Sequence, residues 1–205
     1  MTAVSEHFWA HLFESAIQLS GWEVVATTLG ILYVILAAKE SIWCWPAAFA
    51  STLIYTLLFW EGQLPMQALL NAYYLLMAVY GLISWRKHTD AKLDLKISNR
   101  PGRFHLMLIS AGLLLTWATG YYLQHQTESQ LPYLDAFVTV FSVITTVLMA
   151  RKILENWLYW LVIDSAAIAL YWQTGFYVTI IMFSLYLILS VIGYLKWRKK
   201  LHAAP

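Results

Sequence analysis

The sequence has few charged residues and almost no capacity for disulfides. Only 12% of its 205 residues are Asp, Glu, Lys or Arg, whereas 60% are hydrophobic. A soluble domain of this size needs many more charged side chains to cover its surface, so a water-soluble globular protein is excluded. The single cysteine, Cys44, cannot form a disulfide within the chain and says nothing about the redox compartment.

Several classes of function are disfavoured by what is missing. The chain has no phosphate-binding loop of the Walker type, so direct coupling to ATP is not expected. Ser165 directly follows Asp164 but points to a different helix face, and the six histidines fall outside the apolar runs or at their edges. No lysine lies inside a run, which excludes a retinal Schiff base. We therefore expect no enzyme, no cofactor, no bound metal and no nucleic-acid partner.

Seven apolar runs dominate what is present. Each is close to the roughly 20 residues that cross a bilayer core of about 30 Å as a helix. They predict an all-α polytopic membrane protein that has the lipid bilayer as its surroundings. The predicted transmembrane helices lie near 22–38, 43–60, 65–85, 104–124, 132–150, 156–173 and 175–195.

The basic residues predict the orientation. With seven spans, the first, third and fifth connections share one side of the membrane with the C-terminus. Those segments hold all 13 Lys and Arg residues of the chain. The positive-inside rule then places the N-terminus outside and the C-terminus inside.

An internal repeat is predicted when the chain is shifted along itself, without gaps, so that Trp45 falls on Trp157. This shift, the repeat offset, also places Gly81 on Gly193 and the run 85–87 on 197–199. Spans 1–3 would then correspond to spans 5–7, with span 4 as a linker that gives both triplets the same orientation. This is the 3+1+3 arrangement of parallel repeats found in carriers of the SWEET type. The predicted regions are an interfacial segment 1–21, a first repeat 22–85, a basic loop with linker helix 86–131, a second repeat 132–195 and a basic tail 196–205.

Span 6 carries the most informative residues. Trp157, Trp160 and Asp164 share one helix face, and Asp164 lies near the middle of the span. A carboxylate at that depth costs several kcal/mol unless it has a partner or a use, so a functional role is favoured. Trp157 lies nearer the membrane surface, where an interfacial anchor is the alternative explanation.

Spans 2 and 3 add polar groups that could face Asp164. In span 3, Gln67, Asn71 and Tyr74 recur on one face, although the two amides could instead bond neighbouring helices. In span 2, Thr52 is the repeat equivalent of Asp164, and Tyr55 lies one turn away. Aromatic walls with one negative charge suit a flat, cationic, hydrogen-bonding solute, because both attract cations.

These motifs resemble those of the Pnu family of vitamin transporters. The run Trp157-x-x-Trp160-x-x-x-Asp164 resembles the family's Trp-x-x-Trp-x-x-x-Asn signature, and Asn71-x-x-Tyr74 resembles its Gln-x-x-Tyr. The resemblance covers essentially the whole chain, including the seven-helix, full-length SWEET-like architecture. Together, the helix faces, the internal repeat and this resemblance predict a substrate site formed by Asp164, Trp160, Trp157, Asn71, Tyr74, Gln67, Thr52 and Tyr55.

The departures at Asp164 and Asn71 look like those of the PnuT branch, which is associated with thiamine. The resemblance thus implies uptake of thiamine by facilitated diffusion across the bacterial inner membrane, with alternating access. It also implies trapping by a cytoplasmic vitamin kinase, and a homotrimer. Two alternatives remain, namely a nicotinamide riboside carrier, whose substrate is also a cation, and a receptor that binds such a vitamin without transporting it. Neutral riboflavin is disfavoured.

Overall fold

The computed structural model describes residues 21–61, 65–87, 95–127, 130–174 and 177–203. Within its helices, the side chains at 59, 65–69, 87, 174 and 177–178 are not described. Apart from Gly21, the predicted interfacial segment 1–21 therefore lies outside the described residues.

The described chain folds into seven α-helices. They are α1 Gly21–Ala38, α2 Cys44–Glu61, α3 Pro65–Lys87, α4 Gly102–Gln126, α5 Pro132–Ala150, α6 Asn156–Thr174 and α7 Tyr177–Ala203. The prediction of an all-α chain with seven helices is confirmed. The largest difference is at α7, which was expected to end near 195 and continues to Ala203 through the basic tail.

Proline marks where three of the helices begin. Pro65 and Pro132 are the first residues of α3 and α5, and Pro101 directly precedes α4. The proline ring fixes φ near −65°, and its missing N–H is not needed in the first turn. These starts are therefore local properties of the sequence.

By length and composition, four helical stretches are apolar enough to cross a membrane, namely Gly21–Ala38, Gly102–Gln126, Pro132–Ala150 and Thr179–Ala203. They belong to α1, α4, α5 and α7. Helix α2 contains a shorter apolar stretch, Cys44–Leu58. All eight predicted site residues lie on α2, α3 and α6. The predicted site residues therefore lie on helices other than these four.

The packing joins the two halves of the chain crosswise. Helices α1, α2 and α3 pack in succession, as do α4, α5, α6 and α7. Two more contacts cross between the halves: α1 packs against α7, and α3 packs against α5. Among the described helices α4 packs only against α5, so it lies at the edge of the bundle.

The main hydrophobic core lies at the end of the bundle where α1 and α5 stop and α2 and α6 start. Its members include the four buried tryptophans Trp45, Trp85, Trp157 and Trp197. Trp45 meets Trp85 edge-on at 5.4 Å between ring centroids, and Trp157 meets Trp197 edge-on at 5.5 Å, with interplanar angles of 89° in both pairs. The repeat offset places the first pair on the second.

Each of the first tryptophans in these pairs covers a glycine. A Cβ added to Gly81 would overlap the Trp45 ring, and one added to Gly193 would lie 2.7 Å from Trp157 ring atoms. Without a driving force from water, helices in a bilayer associate through close packing, which small residues permit. Gly81 and Gly193 therefore let α3 and α7 approach these indoles.

Candidate functional site

Asp164 lies on α6 and is almost completely enclosed, with 2% of its surface exposed. Its Oδ2 accepts a long hydrogen bond, 3.4 Å, from Ser190 Oγ on α7. Among the described residues no basic side chain forms an ion pair with it. The carboxyl group thus has a hydroxyl as its hydrogen-bond partner. A cation bound beside it would strongly lower the free-energy cost of burying its negative charge.

Two tyrosines connect Asp164 with the first half of the chain. Tyr186 on α7 interacts electrostatically with both Asp164 and Tyr55. A Cβ added at Gly30 on α1 would meet the Tyr186 hydroxyl at 2.9 Å, so this hydroxyl lies directly against the α1 backbone. Tyr33 on α1 interacts in turn with Tyr186 and Tyr74. We refer to Tyr186, Tyr55, Tyr33 and Tyr74 as the tyrosine cluster, of which Tyr186 is the member that interacts with Asp164.

Tyr74 occupies the matching place on α3. Its hydroxyl interacts with the side chain of Ser142 on α5, and its ring centroid lies 5.7 Å from that of Tyr73. The repeat offset places Tyr74 on Tyr186, and Gly30 on Ser142. The two arrangements differ in that serine provides a partner for Tyr74, whereas glycine leaves Tyr186 against bare backbone.

The residues predicted on α2 make different contacts. Tyr55 shares a hydrogen bond of 2.6 Å with Thr27 Oγ1 on α1. Thr52 Oγ1 donates to Ala48 O of its own helix at 2.7 Å, so its hydroxyl is directed at its own backbone. The structure thus joins Tyr55 to the cluster through Tyr186, and it gives Thr52 a partner within α2.

Asn71 and Gln67 are the two amides predicted for the site on α3. Asn71 is half-buried and lies one turn before Tyr74 on the same helix. The side chain of Gln67 lies outside the described residues. Their roles as substrate ligands stay predictions.

The two tryptophans on α6 occupy distinct environments. Trp157 is 1% exposed and is enclosed by Gly193 and Trp197, so its ring is part of the core. Trp160, one turn nearer Asp164, is only half-buried and packs at the margin of that core. Of the two rings, Trp160 has the more accessible face. Both assignments to the site stay predictions.

Ser190 and two members of the tyrosine cluster were absent from the predicted set. Tyr186 could have been found, because the repeat aligns it with Tyr74. Ser190 pairs with Asp164 across 26 positions, and Tyr33 has no neighbouring motif. Only the helix packing brings these two side chains to the site.

An enclosed carboxylate among tyrosines, near the middle of a multi-pass helical bundle, is typical of membrane transporters. The family model described as nicotinamide mononucleotide transporter matches residues 20–199. The chain therefore belongs to this transporter family. The predictions of a Pnu family vitamin transporter, of a multi-pass inner-membrane protein and of a member of a transporter family rather than an enzyme are confirmed.

Individual relatives differ in what they are named for. The riboflavin/roseoflavin transporter RibM of Streptomyces davaonensis is 27% identical, over 85% of this chain and 83% of that protein. The nicotinamide riboside transporter PnuC of Neisseria mucosa is 28% identical, over 85% and 71%. The PnuC of Escherichia coli is 22% identical, over 87% and 85%.

Among solved structures, the crystal structure of the vitamin B3 transporter PnuC is 26% identical to this chain and superposes with a TM-score of 0.73. The match covers 99% of this chain and 94% of that one. The described helices therefore have the arrangement of a known vitamin transporter over nearly their whole length.

Proposed function

We propose that this protein moves a vitamin cation across the inner membrane by facilitated diffusion, with the substrate bound beside Asp164. The observation that carries the proposal is the enclosed Asp164 carboxylate, which accepts a hydrogen bond from Ser190 and lies amid tyrosines. A cation about 4 Å from a carboxylate gains on the order of 4 kcal/mol at an effective dielectric of 20. That attraction exceeds the roughly 0.5–2 kcal/mol that an aromatic face adds.

Nicotinamide riboside is the first candidate substrate. Two relatives carry this vitamin in their names, and the matching crystal structure is of a vitamin B3 transporter. Its pyridinium ring is flat and positively charged, so it suits a site with one carboxylate and several aromatic rings. This ranking replaces the sequence-based preference for thiamine, which none of these relatives supports.

Thiamine is the second candidate because of Asp164 itself. The family signature has Asn at this position, and a full negative charge favours a fixed thiazolium more strongly than an amide does. Riboflavin, for which one relative is named, is neutral and gains no charge–charge attraction from the carboxylate. We therefore rank it third.

The proposal treats the two halves of the chain as parallel repeats, α1–α3 and α5–α7, with α4 between them. The crosswise packing of α1 on α7 and α3 on α5 supports this arrangement. So do the Trp–Trp and Trp–Gly contacts that recur at the repeat offset. Alternate rocking of the two halves would open the site to either side, with the basic side facing the cytoplasm.

Metabolic trapping completes the proposed uptake. A facilitator only equalises concentrations, so a cytoplasmic kinase that phosphorylates the vitamin would keep it inside. A homotrimer stays part of the proposal through the family resemblance alone.

The test is calorimetric binding of nicotinamide riboside, thiamine and riboflavin to the purified protein and to Asp164→Leu, which removes both the charge and the hydrogen-bonding oxygens. We expect one of the cations to bind best and the variant to lose at least tenfold in affinity for it, about 1.4 kcal/mol. Glu61→Gln, which removes an exposed acid at the end of α2, is the matched control and should bind as the wild type does. Equal binding by wild type and Asp164→Leu would refute the assignment of the site.

Flux into proteoliposomes separates a carrier from a receptor. A carrier equilibrates the labelled vitamin across the bilayer, whereas a receptor binds it without net entry. Binding without flux would therefore retain the site and reject transport.

A further inference from the structure

Helices α1 and α5 end in the same unusual turn. Glu40 and Lys152 each lie two residues beyond their helix and have left-handed backbones, with φ of 53° and 50°. Glu40 N donates to Ala37 O and Ser41 N to Leu36 O, at 2.9 Å in both cases. In α5, Lys152 and Ile153 donate in the same pattern to Met149 and Leu148, at 3.0 Å. Both ends are therefore Schellman motifs.

Glycine is the usual residue at the left-handed position of a Schellman motif. For a residue with a Cβ, this conformation costs about 1–2 kcal/mol. This chain has a charged residue at both positions, and the repeat offset places Glu40 on Lys152. The side chains must therefore contribute something that glycine could not.

What they contribute is an ion pair between the two halves of the chain. Lys152 Nζ lies 3.2 Å from Glu40 Oε2, and the two side chains are only 14% and 9% exposed. Lys152 Nζ also lies 4.5 Å from the centre of the Trp85 ring. The other oxygen of Glu40 pairs at 2.8 Å with Lys200, whose side chain is 67% exposed. Lys152 is thus held between a carboxylate and an indole.

The same end of the bundle has other bonds between the halves. Trp85 Nε1 on α3 donates to Ala150 O of α5 at 3.1 Å, and Trp197 Nε1 on α7 donates to Ala37 O of α1 at 3.2 Å. The Trp85 and Trp197 rings are 6.4 Å apart. Every one of these contacts must break if the halves separate at this end.

From this geometry we propose that Glu40 and Lys152 form the inner latch, an ion pair that closes the cytoplasmic end of the transport path and opens once in each cycle. The proposal rests on the alternating access and orientation given under Proposed function. An ion pair suits this role because its desolvation cost offsets much of its attraction, so that closing it is only weakly favourable. The Trp–carbonyl bonds then define the closed position.

The chain contains a built-in reporter of the latch. Cys44, the only cysteine, is the first residue of α2 and follows the turn that ends α1. Its side chain is fully buried in the core. Lys152 is close enough to interact with its thiol electrostatically. Reaction of Cys44 with N-ethylmaleimide therefore reports how often this end opens.

The experiment measures the rate of Cys44 labelling, by mass spectrometry, in full-length protein reconstituted without substrate. We expect Glu40→Gln and Lys152→Gln to react about fivefold faster than the wild type, which corresponds to about 1 kcal/mol. The reversed pair, Glu40→Lys with Lys152→Glu, is made together with Lys200→Gln, because Lys200 lies 2.8 Å from the Glu40 carboxylate and would repel a lysine there. It restores the attraction between the two positions and should return the rate to near the wild-type value. Lys200→Gln is the matched control, because it removes only the exposed partner of the same carboxylate.

Glu40→Gly separates the latch from the stability of the turn. Glycine relieves the left-handed backbone while removing the carboxylate, so this variant should melt no lower than the wild type and still label faster. Wild-type labelling rates in folded Glu40→Gln and Glu40→Gly would overturn the proposal. A reversed pair that labels as fast as the single variants would overturn it as well.

Labelling needs no substrate, so the latch and the proposed function can fail separately. If the variants label faster as expected but no vitamin crosses the bilayer, the proposed transport function is wrong, and the closure of this end by the Glu40–Lys152 ion pair is retained. If the vitamin crosses and the labelling rates do not respond, the latch is wrong and the carrier stands.

Discussion

Gly193 on α7 lies under the Trp157 indole, and its replacement by alanine is expected to destabilise the bundle. The new Cβ would lie 2.7 Å from three atoms of the ring, whereas an ordinary contact begins at 3.4 Å, so the two groups must separate by 3.4 − 2.7 = 0.7 Å. Trp157 is 1% exposed and meets Trp197 edge-on, which leaves it little room to move. The ring is also too rigid to accommodate the methyl group by bending.

The magnitude follows from two opposing effects. Overpacking of an enclosed rigid ring costs about 3 kcal/mol, at the upper end of the usual range. Alanine is about 1 kcal/mol better than glycine within a helix. The net loss is about 2 kcal/mol, which corresponds to a melting temperature lower by about 4–8 °C for a chain of this length.

Thermal unfolding in detergent, followed by tryptophan fluorescence, measures this loss. Gly102→Ala is the control, because it makes the same change at a helical glycine with nothing within 4 Å of the added Cβ. Combining Gly193→Ala with Trp157→Phe should cost less than the sum of the two single changes, since the smaller ring makes room. A melting temperature for Gly193→Ala at or above that of Gly102→Ala would refute the packing argument.

Two further predictions concern the site. Trp160→Phe should weaken vitamin binding about threefold to tenfold at an unchanged melting temperature, whereas Trp157→Phe should lower the melting temperature, because only Trp157 is enclosed in the core. Calorimetry and thermal unfolding of both variants check this. The opposite pattern would contradict it. Gly30→Ala should displace the Tyr186 hydroxyl, which lies 2.9 Å from the added Cβ, and reduce affinity without preventing folding; unchanged binding would mean that this hydroxyl takes no part in the site.

The sequence by itself determined the membrane character, the seven helices and the family. Long apolar runs specify helices in a bilayer locally, because backbone groups there must be satisfied within each segment. Prolines at 65, 101 and 132 mark helix starts for equally local reasons. The sequence also marks Asp164 as a candidate site residue, since a carboxylate in an apolar run has few explanations.

The tertiary structure alone decided which side chains meet. Ser190 reaches Asp164 across 26 positions, Trp85 reaches the Ala150 carbonyl across 65, and Lys152 reaches Glu40 across 112. No local periodicity encodes such distances, because they depend on how helices cross and how far each turn continues. The sequence shows Glu40 and Lys152 only as ordinary charges at the ends of helices. They meet because α1 packs against α7 and α3 packs against α5, so that the first helix of each half of the chain lies against the last helix of the other half.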